Sequence, residues 1–352
     1  MYPRDPAAFV NWGIICSNQG QHEKAADLYS EAMRIGDKSS PTYYTNLAAA
    51  YRRLNRFAEA RALLEQAATK FDTAGNHSAL YLLARIDGDP AAMERQVEWF
   101  RGKPGEHSII AAQAAAAAFG GRMENSRGLW RRAIEMAGRA GLNEIQAFYL
   151  AGQAEEEALV GYLPAAGQAA ARSLKLTRGR STGPAAARAL AVAGSPAPAH
   201  ALAEDLAKRY PEDTLLKNAE IPTVEAAVEI DRGNPRRAVE LLESAVYEFG
   251  SAACPAVYLR GVAQLRAGAA NEAVVAFQKV IDHRGIFTNV TFPLAYLGLG
   301  RAQALGGKTA EARQAYQEFF ALWENADPGV PVLKEARREF ARLKPDAPGS
   351  GR

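Results

Sequence analysis

The chain is 352 residues long, 48% hydrophobic and 23% charged, with a formal net charge of +3. This length holds two ordinary domains or one long array, and the composition belongs to folded rather than disordered chains. So small a basic excess gives no case for nucleic acid, and the longest apolar run, 11 residues from Ile109 to Phe119, is too short for a membrane span, which needs about 20.

From the N-terminus onward, one pattern returns nine times. A helical apolar stretch leads to a turn on Gly or Asn, and a second amphipathic stretch follows with a small residue at its inner position. The turn residues are Gly20, Asn55, Gly88, Gly121, Gly161, Gly194, Gly233, Gly268 and Gly307, at spacings of 33 to 40 residues. Such a period marks a helix–turn–helix solenoid, whose units bury their apolar faces only by stacking on neighbours.

The opening Tyr2-Pro3-Arg4-Asp5-Pro6 is polar and turn-prone and carries no signal-peptide pattern. In the first unit Phe9, Trp12, Gly13 and Cys16 share one helical stripe, and Ala25, Tyr29 and Ala32 face it. The second repeats this with Tyr44, Leu47, Ala48 and Tyr51, then Ala60, Leu64 and Ala67. Small residues at Gly13, Ala25, Ala48 and Ala60 are required where paired helices come closest. The units across 75–253 are degenerate. Leu80, Ala84, Met93 and Phe100 mark the third, Ile110, Ala114, Ser126, Trp130 and Ala133 the fourth, and Leu150, Ala154, Ala166 and Ser173 the fifth. The sixth closes on Tyr210-Pro211, and Pro222 is placed near the start of the seventh unit's first helix, since proline fits only a first turn. The eighth shows Val257, Gly261, Ala273 and Phe277; the ninth shows Tyr296, Leu299, Gly300 and Gln303, then Ala312, Tyr316 and Phe319. Asp327-Pro328-Gly329 breaks the chain. Residues 330–344 then read as a capping helix with Val332, Ala336, Phe340 and Leu343 on one side, and 345–352 as a disordered tail. Cys16 and Cys254, 238 residues apart, read as core residues rather than a disulfide.

Place by place, the bulky residue, Leu-Gly and aromatic, followed by Ala, aromatic and Ala, resemble the tetratricopeptide repeat. The match is good for the units at about 6–74 and 254–327. It implies an all-α, right-handed α-solenoid of about nine helix-turn-helix units with a C-terminal capping helix, together spanning 1–344. A narrower resemblance rests on Ala276-Phe277-Gln278-Lys279-Val280-Ile281-Asp282-His283-Arg284-Gly285-Ile286, on Ala315-Tyr316-Gln317-Glu318-Phe319, on Leu322-Trp323-Glu324-Asn325-Ala326-Asp327-Pro328 and on Val332-Leu333-Lys334-Glu335-Ala336. These are similar to the C-terminal repeat region of bacterial, especially acidobacterial, eukaryote-like serine/threonine protein kinases. That resemblance implies a sensor or docking half, and it places Met1 within an array. No Gly-rich phosphate loop, Val-Ala-Ile-Lys, His-Arg-Asp or Asp-Phe-Gly occurs, so kinase activity is carried over to no residue.

Other chemical motifs fail on spacing. Gly306-Gly307-Lys308-Thr309 ends like a phosphate loop, but Ala302 stands where that motif needs its first Gly. Asp282-His283-Arg284-Gly285 suits the end of a helix, where cations meet free carbonyls. His22, His77, His107, His200 and His283 do not cluster, so no metal or cofactor is expected. Arg122, Arg127, Arg131, Arg132 and Arg139, and then Arg172, Lys175, Arg178 and Arg180, form two basic concentrations without interleaved aromatics, and nucleic acid is not expected.

Binding carries the functional expectation. The repeat register points Asn18, Arg52, Arg53, Arg85, Arg188, Tyr258, Arg266 and Arg301 toward the wall built by the first helix of each unit. Arginine clamps carboxylates with paired hydrogen bonds, so the expected partner is a protein or peptide with an acidic segment. The ordinary alternative is that such arginines only solvate a helix face and cover its apolar neighbours. Of the positions that match the carboxylate clamp of chaperone-binding repeats, Asn46 fits, whereas Val10, Ile14, Gly75 and Ala79 do not. The expected role is a non-catalytic interaction scaffold or sensor array. It is cytoplasmic if the chain is complete, and extracytoplasmic if it belongs to a membrane-anchored kinase. The competing readings are the effector-sensing region of a winged-helix transcription regulator and an enzyme with its site in the groove.

Overall fold

All nine turn residues hold a positive φ, from 59° at Asn55 to 93° at Gly161. An L side chain meets steric repulsion there, which Gly lacks and Asn tolerates. The N–H after each turn residue reaches the carbonyl five positions before it, as from Arg56 to Tyr51 (2.8 Å) and from Lys308 to Gln303 (2.9 Å). This closure satisfies the orphan carbonyls at a helix end and aims the chain back along its own helix. The degenerate middle units keep it: Tyr162 reaches Glu157 at 2.8 Å and Asn234 reaches Glu229 at 2.8 Å.

The computed structural model describes residues 5–245, 247–250 and 254–343. The tail expected at 345–352 and the Tyr2-Pro3-Arg4 opening lie outside them. The described residues form an all-α solenoid of helix hairpins with no strand. The pairs are α1 (Pro6–Asn18) with α2 (His22–Ile35), α3 (Pro41–Arg53) with α4 (Phe57–Ala68), and α5 (Ala74–Asp87) with α6 (Pro90–Phe100). They continue as α7 (Glu106–Phe119) with α8 (Met123–Arg139), α9 (Asn143–Leu159) with α10 (Leu163–Leu176), and α11 (Gly183–Val192) with α12 (Pro196–Arg209). Then come α13 (Ile221–Asp231) with α14 (Pro235–Ser244), α15 (Cys254–Arg266) with α16 (Ala270–Asp282), α17 (Thr291–Leu305) with α18 (Thr309–Leu322), and last α19 (Pro331–Arg342).

A size rule sets the packing within pairs. A Cβ added at Gly261 or at Gly300 would stand 2.8 Å from the ring of Phe277 or Tyr316, sixteen positions on. Gly13 faces Tyr29 in the same register. Ala48 with Leu64, Ala84 with Phe100 and Ala114 with Trp130 are buried at the same two positions. A bulky residue on the second helix thus needs a small one on the first, because a close-packed interface has no spare volume.

Two local expectations are corrected. Trp12 is 49% exposed, with the Lys24 ammonium 4.9 Å over its ring, instead of lying with Cys16 in the core. Met93 is only half-buried, and Ala92 takes the inward place. Pro222 lies in the first turn of α13, as expected, but helical backbone already begins at 214 and runs through a π-helical turn, Leu216–Glu220, into α13. A proline removes one helical N–H and crowds the carbonyl four residues back, and the wider turn accommodates both effects. The hydroxyl of Thr223 then donates to the Ala219 carbonyl at 2.6 Å.

The chain divides into two compact units. The first holds Met1–Ile109, Tyr247–Cys254 and His283–Thr288. Its interrepeat loops lie on the hairpin turns: His22 Nε2 donates to the Phe249 carbonyl at 3.0 Å, the Gly285 N–H to Asn55 Oδ1 at 2.8 Å, and Arg284 to the Ile86 carbonyl at 2.6 Å. The second unit holds Ile110–Val246, Pro255–Asp282 and Asn289–Arg352. Its segment 323–332 lies on two turns in the same way. Trp323 Nε1 donates to the Phe119 carbonyl at 2.9 Å, the Asp327 N–H to Gly121 O at 3.1 Å, and the Val332 N–H to Val160 O at 3.2 Å.

Candidate functional site

The eight residues expected on the binding wall fall four in each unit. In the first, Asn18 ends α1, and Arg53 donates to Ser17 Oγ at 3.2 Å. Arg52 and Arg85, near the ends of α3 and α5, donate to the carbonyls of Gly285 and Thr288. These guanidinium groups hold the unit's own loops on its turns. Each sits in or near the last turn of its helix, where helix carbonyls favour a cation. His22 lies in the same region, and its pKa is lowered to about 4 by burial and by the neighbouring Arg53 charge.

In the second unit, Arg188 is buried and donates to Glu155 at 2.7 Å. Tyr258, Arg266 and Arg301 are brought together, lining one cleft of about 680 Å³. The C-terminal ends of successive first helices build its walls: Leu159 from α9, Val192 from α11, Ile230 and Asp231 from α13, and Arg266 from α15. The middle of α17 adds Arg301, and α19 closes one side with Val332, Glu335 and Glu339.

The polar groups of the cleft are ordered by charge. Arg266 Nη1 donates to the Ile230 carbonyl at 3.0 Å. Arg301 Nε donates to Glu339 at 2.9 Å, and its Nη2 stands 3.2 Å from Glu335. The Tyr316 hydroxyl also donates to Glu339, at 2.9 Å. Tyr258 packs edge-on against Phe277 with ring centroids 5.8 Å apart. Burial pushes its phenol up to about 12 while the charges of Arg301 and Arg266 oppose that rise. The phenol is therefore a neutral hydrogen-bond donor at any physiological pH.

Of the acidic residues of this cleft, Asp231 was expected on the wall, whereas Glu335 and Glu339 were missed in the sequence. Glu335 and Glu339 stand one helical turn apart on α19, and that i, i+4 spacing beside Val332 and Ala336 was the available signal. The basic concentration around Arg127 behaves differently. Arg127 is held by both oxygens of Glu157 at 2.6 Å and lies 4.0 Å over the Tyr162 ring. Among the described residues no group of three or more His, Cys, Asp and Glu side chains could hold a metal ion, and no helix is long and apolar enough to cross a membrane.

Comparison with known proteins agrees with the hairpin geometry. The tetratricopeptide-repeat family matches residues 5–71 and again 294–325. No curated protein matches the chain. Solved structures similar to it include the tetratricopeptide-repeat domain of P58(IPK), with 17% identity, 96% of this chain and 98% of that one covered, and a TM-score of 0.30. The Cut9–Hcn1 hetero-tetramer of the APC/C gives 13% identity, 96% and 75% coverage, and a TM-score of 0.42. Yeast Tom70 gives 12%, 98% and 91%, and 0.39. Tetratricopeptide repeats are thus matched at 5–71 and at 294–325.

Proposed function

We propose that the chain is a non-catalytic protein-interaction array whose capture site is the cleft of the second unit. The observation that carries this reading is the convergence of Tyr258, Arg266 and Arg301, from two different repeats, on one partly apolar recess. A preformed recess lowers the ordering cost of binding, and its guanidinium groups favour an acidic segment of the partner. Within the wider resemblance, this array is the sensor or docking half of a bacterial serine/threonine kinase signalling protein. Its domain is the repeat array 1–344, with α19 as its cap. The test is capture of acidic peptides from a displayed library by the full chain and by an Arg266→Gln variant, which loses one hydrogen bond to Ile230. The reading expects acidic sequences to be enriched by the parent chain and that enrichment to fall about tenfold in the variant. Equal enrichment by both would remove the cleft from the function.

A further inference from the structure

Resting on the cleft as capture site, we infer that its ligand is an apolar group ending in a carboxylate, seated with its head between Arg266 and Arg301 on the Tyr258 hydroxyl. Three observations lead there. First, a recess of about 680 Å³ falls in the range of small-ligand pockets, roughly 300–1,000 Å³. Second, part of its lining is aliphatic, from Leu159, Val192, Ile230, Val262 and Leu265. Third, the Arg301 and Arg266 guanidinium groups line the same recess as the Tyr258 phenol, and their charges act on it against the larger effect of burial.

The hydrogen-bond inventory matches a single carboxylate. Among the described residues the Tyr258 hydroxyl has no hydrogen-bond partner, and Arg266 spends one N–H on Ile230, leaving the rest of its planar fork. Arg301 Nη2 is buried with no hydrogen bond, although the Glu335 carboxylate stands nearby. Glu335 and Glu339 pair with Arg301, and their charge opposes a second anionic group at the same spot. A monoanion with an aliphatic body therefore fits, whether it is a free fatty acid or the C-terminal end of an apolar peptide.

Calorimetric titration of the full chain with four probes tests this: decanoate, decanamide, the peptide Ala-Val-Leu-Leu with a free C-terminus, and the same peptide as its amide. At least one carboxylate probe should bind about tenfold or more tightly than its amide. Which probe it is identifies the source as a free acid or a chain terminus. Tyr258→Phe and Arg266→Gln, each checked for parent-like helicity by circular dichroism, should each weaken that probe about tenfold. Acid and amide binding alike, no binding by any probe, or undiminished binding in both variants overturns the inference. Acidic-peptide capture that still depends on Arg266 would then leave the interaction-array reading standing with a different ligand.

Discussion

At the scale of single residues, one amino acid serves two purposes at different turns. Gly307 needs only its φ of 75°, because a Cβ there would meet nothing within 4 Å. Gly121 has a similar φ of 71°, but a Cβ there would come within 2.6 Å of Ala326 and 2.8 Å of Trp323. Gly307→Ala is expected to cost about 1 kcal/mol from backbone strain alone. Gly121→Ala adds overpacking and should cost about 2–4 kcal/mol. Urea melts of the two variants check this, and equal losses would mean that segment 323–332 does not rest on the turn. His22 supplies a second residue-scale expectation. Its Nε2 donates to Phe249 O, while Nδ1 is buried without a partner, beside Arg53. The folded chain therefore binds the proton more weakly than the unfolded one. Stability is complete above pH 6.5 and declines as pH falls toward 4, by at most about 1.4 kcal/mol per pH unit for this group. His107, also lowered by burial, acts in the same direction. Melting temperatures of the parent and of His22→Gln, which retains a donor, should diverge above pH 6 and converge near pH 4. Parallel curves would show that His22 is not the titrating group.

At the scale of elements, α8 is capped by a distant residue. Its own N-cap position, Arg122, makes no side-chain cap, yet the Glu124 N–H donates to Asp327 Oδ2 at 2.7 Å. A carboxylate there satisfies an orphan donor and lies at the positive end of the helix. Asp327→Ala should cost about 1 kcal/mol and speed hydrogen exchange at 123–126, whereas Asp327→Asn should stay close to the parent. Unchanged exchange in the alanine variant would count against the cap. Element boundaries were legible where a turn glycine and a small inner residue coincide, as at Gly268 with Ala273 and Gly307 with Ala312. They were not legible at Met93, where Asp89 caps α6 through the Ala92 N–H at 2.9 Å and re-registers the helix. Nor was the π-helical turn before Pro222 legible, because its signal is a hydrogen-bond shift that no residue type announces.

For the molecule as a whole, the all-α hairpin solenoid could be read from nine turns and their spacing, because positive φ strongly selects Gly and Asn. The sequence also placed Tyr258, Arg266 and Arg301 on the first helices of their repeats, and the three line one cleft. The uses of Arg52 and Arg85 could not, because their acceptors are backbone carbonyls of Gly285 and Thr288, which every residue possesses. The docked loops also bear on how the chain acquires its structure. Stacked repeats ordinarily depend on nearest neighbours and can grow from any point. Here the contacts of His22, Glu124 and Trp323 span 227, 203 and 204 residues respectively. Such separations raise contact order, which slows folding. During synthesis the early turns must wait with bare amides and carbonyls until loops made much later leave the ribosome.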